Sequence, residues 1–295
     1  MFARYKNYFL LHLIVFIWGF TGILGALISV SADILVWYRT MIASFCLLIY
    51  LWYKKISLKT DLQSGFVFFG TSIVIVIHWL AFYHAIKVSN VSVTLSVFSS
   101  ASFFMAFLEP LFYKRKLIWY EVFFGLIVMF AIFLIFKMET KYYEGVFYSL
   151  IAAITSGIFS LINGKLTHKH HAVVISFYEL LGGFLFLTLF FLLSGRLNSE
   201  YLSIGTDDLG WLLLLSVVCT AYTFVKSVDI MKEISPYTVV LTVNLEPVYA
   251  IVMAFFILNE NKQMTPAFYV GTAFIIFTVF FNAWLKKVKR TKNLQ

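Results

Sequence analysis

Long apolar runs separated by short polar breaks occupy the chain from end to end. A helix needs about 20 mostly apolar residues to cross the hydrocarbon core of a bilayer. Runs of that length fall near 7–28, 33–53, 63–86, 90–113, 118–136, 145–165, 171–194, 208–231, 236–258 and 265–285. They predict an all-α integral membrane protein of ten transmembrane helices, with too little chain left over for a soluble domain. Two predicted helix starts carry Ser235-Pro236 and Thr265-Pro266, an N-cap residue followed by proline at the first helical position. Pro247 instead falls inside a run. It cannot donate to the carbonyl of Val243, so it predicts a kink beside Glu246.

The polar breaks orient the runs. Cytoplasmic loops of membrane proteins carry an excess of Lys and Arg. With the N-terminus inside, inner segments hold 17 of the 23 basic residues and outer segments 5, with Arg39 left within a helix. Both termini are therefore expected in the cytoplasm, in a cell inner membrane. Trp37, Trp52, Trp119, Trp211 and Trp284 fall near run ends, as an interfacial belt requires, whereas Trp18 and Trp79 do not,. Composition agrees with this picture. The chain is 61% hydrophobic and only 13% charged, against about 25% charged in soluble domains. The net charge of +9 sits in short loops and is a topology signal, so no nucleic-acid partner is expected. The initial basic residues and apolar run resemble a signal peptide, but the run is too long and has no A-x-A site. Cys46 and Cys219 lie within apolar runs and offer neither a disulfide framework nor metal spacing.

Ser89-Asn90-Val91-Ser92-Val93-Thr94-Leu95-Ser96-Val97 aligns at an offset of 146 with Ser235-Pro236-Tyr237-Thr238-Val239-Val240-Leu241-Thr242-Val243. Positions 89, 93, 95 and 97 are identical to their counterparts, and Ser92 and Ser96 become threonines. A repeat of five helices is odd in number, so its two copies point in opposite directions. Inverted repeats of this kind are a recurring plan of secondary transporters. The expected division is 1–140 and 141–295, two inverted five-helix repeats.

Ten runs, Trp18-Gly19 in the first, and Asn244-Leu245-Glu246-Pro247 followed by Leu258-Asn259-Glu260 around the ninth resemble the EamA-type transporters of the drug/metabolite transporter superfamily. The resemblance covers nearly the whole chain. It departs at Tyr113-Lys114-Arg115, where the family often ends its fourth helix with an acidic residue. It implies two five-helix halves, with helices one to four and six to nine around a central cavity. It also implies transport, often export, of amino acids or other small metabolites, and names no substrate.

Candidate site residues come from polar groups at membrane depth. A central Arg costs roughly 2.5–3.5 kcal/mol on insertion scales, so Arg39 is either functional, structurally paired, or snorkelling toward the outer interface. Tyr178-Glu179 matches Tyr38-Arg39 at an offset of 140, which suggests an Arg39–Glu179 pair holding a zwitterionic or anionic solute. The plainer reading gives each its own local hydrogen bonds. Ser92, Ser96 and Ser100 recur every four residues, as do Thr238, Thr242 and Glu246, and each set shares one helical face. These stripes either line a cavity or let helices pack closely. Glu246, the ionisable member, is the expected proton site, because a desolvated carboxylate can take up a proton. Asn244 falls off that face. Trp18 belongs to the same expected binding set, and Glu109 is read as interfacial. His78 either binds substrate or is simply hydrogen-bonded in the interior. His168-Lys169-His170-His171 reads as a basic topology signal.

No G-x-x-x-x-G-K-[ST] or H-E-x-x-H motif is present, which argues against ATP-driven transport and metalloprotease chemistry. The expected function is therefore secondary transport of a small metabolite such as an amino acid, by alternating access, with no cofactor and a proton as candidate coupling ion, in a monomer or homodimer. A broad exporter of drugs or cations is the alternative within transport. A lipid scramblase or an intramembrane enzyme is the alternative outside it, and an enzyme would need a nucleophile with a base, or a metal cluster, at membrane depth.

Overall fold

The computed structural model of the chain describes residues 2–138, 140–243, 245–262, 264–266, 268–274, 277, 278 and 281. The described chain is helical: α1 Phe2–Leu27, α2 Ala32–Tyr53, α3 Leu62–Val88, α4 Val91–Phe98, α5 Ala101–Tyr113, α6 Trp119–Met138, α7 Tyr143–Leu166, α8 Ala172–Leu193, α9 Thr206–Ser216, α10 Thr223–Ile230, α11 Pro236–Val243 and α12 Glu246–Ile257. A π-helical segment, Val217–Tyr222, joins α9 to α10.

Seven stretches among the described residues are long and apolar enough to span a membrane: Lys6–Leu27, Ala32–Tyr53, Leu62–Val88, Val91–Tyr113, Tyr143–Leu166, Ala172–Leu193 and Thr206–Ile230. The expectation of ten transmembrane helices in two inverted five-helix repeats is thereby corrected to seven such stretches. The other three runs do not appear among these stretches, each for its own reason. The run at 236–258 is divided into α11 and α12, neither long enough alone. Pro247 lies in the first turn of α12, where its missing N–H costs little, and the expected kink falls at the α11–α12 junction. The run at 118–136 is helical, but its described apolar stretch, Val122–Ala131, is only a short one. The run at 265–285 lies largely outside the described residues, as do Asn244, Trp284 and the C-terminal basic cluster. The run at 90–113 is also interrupted, at Ser99 and Ser100, yet keeps spanning length.

Helices from the N-terminal part pack mainly on helices from the C-terminal part. α3 lies against α7 and α8, α2 against α8, α1 against α12, and α4 against α7 and α12. α1 makes its approach with small residues. A Cβ on Gly19 would stand 3.1 Å from the backbone oxygen of Glu246, and one on Gly22 would stand 3.1 Å from Leu95 and Val91. Such stripes are how membrane helices bring their backbones close. Helix starts follow local chemistry. Asp61 accepts from the backbone N–H of Ser64 at 2.8 Å and from its hydroxyl at 2.7 Å, which holds the Asp61 carboxyl below its ordinary value. Thr238 N–H donates to Ser235 Oγ at 3.3 Å, consistent with the predicted cap before Pro236.

One end of the molecule is tied by carboxylates. Ser29 donates from its N–H at 2.7 Å and its hydroxyl at 2.5 Å to Asp208, and Lys87 donates to the carbonyl of Ile28. Glu260, 5% exposed, accepts the backbone N–H groups of Val91 and Ser92, each at 2.9 Å. A carboxylate at a helix N-terminus satisfies orphan donors and complements the helix dipole. It also joins the segment after α12 to α4. At the opposite end Arg115 pairs with Glu109 at the close of α5, and Asn7 donates to Glu233 at 2.7 Å.

Glu260→Ala strands two buried donors, each worth about 1–3 kcal/mol when left unsatisfied. We expect that variant to lose about 2 kcal/mol or more of stability, with Glu260→Gln intermediate because its amide oxygen replaces one carboxylate oxygen. Melting of the purified proteins in detergent reads this directly; an unchanged midpoint for Glu260→Ala would show that the tie is dispensable.

Candidate functional site

Three interrupted segments and helices α1, α2, α3 and α7 converge on a cavity of about 70 Å³, room for roughly five water molecules. Its wall takes Trp18 and Thr21 from α1, Arg39 from α2, His78, Trp79 and Phe82 from α3, and Phe98 from the end of α4. The C-terminal part supplies Ser156, Phe159, Ser160 and Asn163 from α7, Cys219 from the π segment, Phe224, Ser227, Val228 and Met231 around α10, Val239, Val240 and Val243 from α11, and Glu246 from α12.

Arg39 is the central fixed charge. It is 3% exposed. Its Nε–H donates to Thr220 Oγ1 at 2.7 Å and an Nη1–H donates to the Tyr83 hydroxyl at 2.6 Å. Its guanidinium carbon lies 4.0 Å from the centroid of the Trp79 ring, a cation–π contact worth about 2 kcal/mol when desolvated. Guanidinium has five N–H donors; with two engaged, three remain for the contents of the cavity. Thr220 can serve because its own hydroxyl donates to Leu215 O at 2.7 Å, five residues back, a spacing the π-helical turn creates. The same segment sets Thr223, whose Oγ1 accepts from Trp18 Nε1 at 3.0 Å. The indole is thereby held on the wall.

Glu246 opens α12 and is 4% exposed. It and Arg39 share the cavity and interact electrostatically across it, while no direct ion pair joins them among the described residues. The start of α12 places the carboxylate at the positive end of a helix dipole. His78 contributes a ring whose Nδ1–H donates to Ala152 O at 2.8 Å. A carbonyl only accepts, so in the neutral imidazole Nε2 is the acceptor nitrogen.

Of the residues singled out from sequence, Trp18, Arg39, His78 and Glu246 come together on this wall. Five others lie elsewhere. Ser96 is sealed against Thr272, oxygen to oxygen at 3.1 Å. Ser100 is fully buried at the α4–α5 junction. Thr242 Oγ1 donates to its own helix at Thr238 O, 2.8 Å away. Tyr178 donates to Leu58 O at 2.7 Å and stacks on Phe68. Glu179 is fully buried and accepts from Asn163 Nδ2 at 3.1 Å, so its described partner is Asn163 and not Arg39. Sequence reasoning missed the polar face of α7, although Ser156, Ser160 and Asn163 are spaced four and three residues apart, the spacing of one helical face. Thr220 and Tyr83 carried no comparable signal.

The family model for EamA-like transporters matches residues 6–137 and again 143–284, together nearly the whole chain. A solved structure described as "Crystal structure of protein" is similar over 95% of this chain and 97% of its own, with a TM-score of 0.69 at 13% identity, a likeness of fold alone. No curated protein matches the sequence. With its apolar spanning helices and a family match in each half, the chain is a multi-pass membrane protein and belongs to the EamA-like transporter family.

Proposed function

We propose that this cavity binds the substrate of a secondary transporter that exports a small zwitterionic metabolite such as an amino acid. The observation that carries the reading is the placement of Arg39 and Glu246 on one buried wall. Arg39 cannot shed its charge and offers three donors to a carboxylate; a fork of this kind recognises planar anions well. Glu246 offers the complementary acceptor for an ammonium group. Trp18, Trp79, Phe82 and Phe224 supply apolar wall between them. This arrangement replaces an Arg39–Glu179 clamp with an Arg39–Glu246 one.

The aromatic wall also suits a broad exporter of lipophilic cations. Arg39 counts against it, because a buried like charge repels such a substrate with no solvent to screen it. A scramblase needs a polar groove open to lipid, whereas the polar groups here turn inward. Movement of solute fits alternating access, in which the carboxylate ties around Asp208 and Glu260 close one end while the other yields. The lining reaches Met231, next to the loop before α11. With both termini in the cytoplasm of the inner membrane, that loop and the cavity's reach lie on the cytoplasmic side, which suits loading from inside.

Two measurements test the reading. Arg39→Gln should abolish substrate uptake into proteoliposomes while the protein still inserts and purifies, and Glu246→Gln should weaken binding of an amino acid by at least about tenfold. Undiminished transport by Arg39→Gln would leave the guanidinium a purely structural role. For orientation, a cysteine placed at Ser57 should resist an impermeant thiol reagent in intact cells, and strong labelling there would reverse the assigned topology.

A further inference from the structure

A second group of buried polar side chains lies behind the cavity wall, next to Asn163. Glu179 and Ser176 on α8 and Asn163 on α7 are each 0% exposed. Asn163 Nδ2 donates to Glu179 Oε2 at 3.1 Å. Glu179 Oε1, Asn163 Oδ1 and Ser176 Oγ are all buried with no hydrogen-bond partner. Ser176 and Glu179 are three residues apart on one helix, so they share a face. A carboxyl, an amide and a hydroxyl oxygen, each able to accept, are thus left without protein partners on this face of α8 and on Asn163.

A buried polar atom without a partner is rare, and several together call for an explanation. A buried carboxylate with a single protein hydrogen bond is poorly compensated unless a positive species shares its site. The neighbouring elements do not supply one. α8 packs on α2, α3 and α10. Arg39 on α2 is turned to Thr220, Tyr83 and Trp79, and His78 on α3 is bonded to Ala152. On α10, Asp229 pairs with Lys232, and Lys226 makes no ion pair with Glu179. Lys165 of α7 points to Phe112 O. Among the described residues Asn163 is the one group that interacts with the Glu179 carboxyl.

We propose that Glu179, Asn163 and Ser176 form a site for a monovalent cation, a proton or sodium, distinct from the substrate cavity and joined to it through Asn163. Carboxylate, amide and hydroxyl oxygens are the hard donors such cations take. Asn163 belongs to both places, since it lines the cavity and holds Glu179. Filling or emptying the cation site therefore moves a group on the substrate wall, which is the linkage an ion-coupled carrier needs. The purpose assigned to the site rests on the transporter reading above; its existence does not.

The test uses melting of the purified full-length protein, with no substrate added. Sodium chloride is titrated against choline chloride at constant ionic strength and pH, and pH is titrated separately without sodium. A sodium site raises the wild-type melting temperature by about 2 °C for each tenfold of sodium above its Kd, and Glu179→Gln abolishes the rise. A proton site makes the wild type lose stability relative to Glu179→Gln as pH rises, because a proton bound only in the folded state stabilises only while it is bound. Either result supports the proposal and names the cation. Equal dependence of wild type and Glu179→Gln on both titrants overturns it. Should Glu179→Gln fail to fold, Ser176→Ala is decisive: it should move the midpoint of the active titration about fivefold, and an unmoved midpoint overturns the proposal. These readouts are independent of Arg39→Gln, so failure of the substrate reading and failure of the cation site are told apart.

Discussion

A permanent charge buried at membrane depth must be held largely by the protein itself, and Arg39 is that charge here. Its solvation organises the central layer of the fold. Thr220, Tyr83 and Trp79 come from the π segment and α3, so the guanidinium ties α2 to both halves of the chain at once. Charge-assisted hydrogen bonds are worth about 1.5–3 kcal/mol each, and the indole contact adds about 2 kcal/mol. The sum exceeds the roughly 2.5–3.5 kcal/mol insertion cost of the residue. The surplus explains how a buried arginine can be anchored on one side and still present donors on the other.

Breaks in helices do the complementary work. α4 gives way to α5 at Ser99 and Ser100, and α11 to α12 just before Glu246. An unbroken helix has its backbone groups paired internally, leaving only side chains to meet a solute. A break leaves a helix end at depth, tolerable only where the surroundings are polar or form a cavity. Glu246 stands at such an end. The glycine stripe of α1 fits the same place, since Gly19 lets the α1 backbone reach the start of α12.

The apolar runs were legible from sequence because length and hydrophobicity alone decide what a bilayer accepts. So were the start of α11 at Pro236 and the burial of Arg39, His78 and Glu246, because charged and ionisable groups are expensive in hydrocarbon. The division of the run at 236–258 was not legible: a run of apolar residues looks the same whether it is one helix or two, and Pro247 is compatible with either. The hydroxyl stripes misled for another reason. Ser and Thr in helices satisfy themselves on the carbonyl three or four residues back, as Thr242 and Ser99 do, so their spacing says little about what they face. Glu179 was read as half of a pair with Arg39 on the strength of matching positions. Matching positions give matching depth, but which neighbour a side chain meets depends on rotation of the helix, and that turned Glu179 to Asn163.

The π-helical segment between α9 and α10 makes the cavity sensitive to chain length and not only to residue identity. Each residue of an α-helix turns the chain by about 100°, and a π turn absorbs one residue beyond the α-helical repeat. Shortening Val217–Tyr222 by a single residue would let the segment relax to a regular helix and swing everything after it by about that angle. Thr223, Ser227 and Met231 would leave the wall together, and Trp18 would lose its acceptor, although no side chain of the cavity itself had been changed. A one-residue deletion there would thus remodel one whole side of the cavity wall in a single step, which no point substitution does.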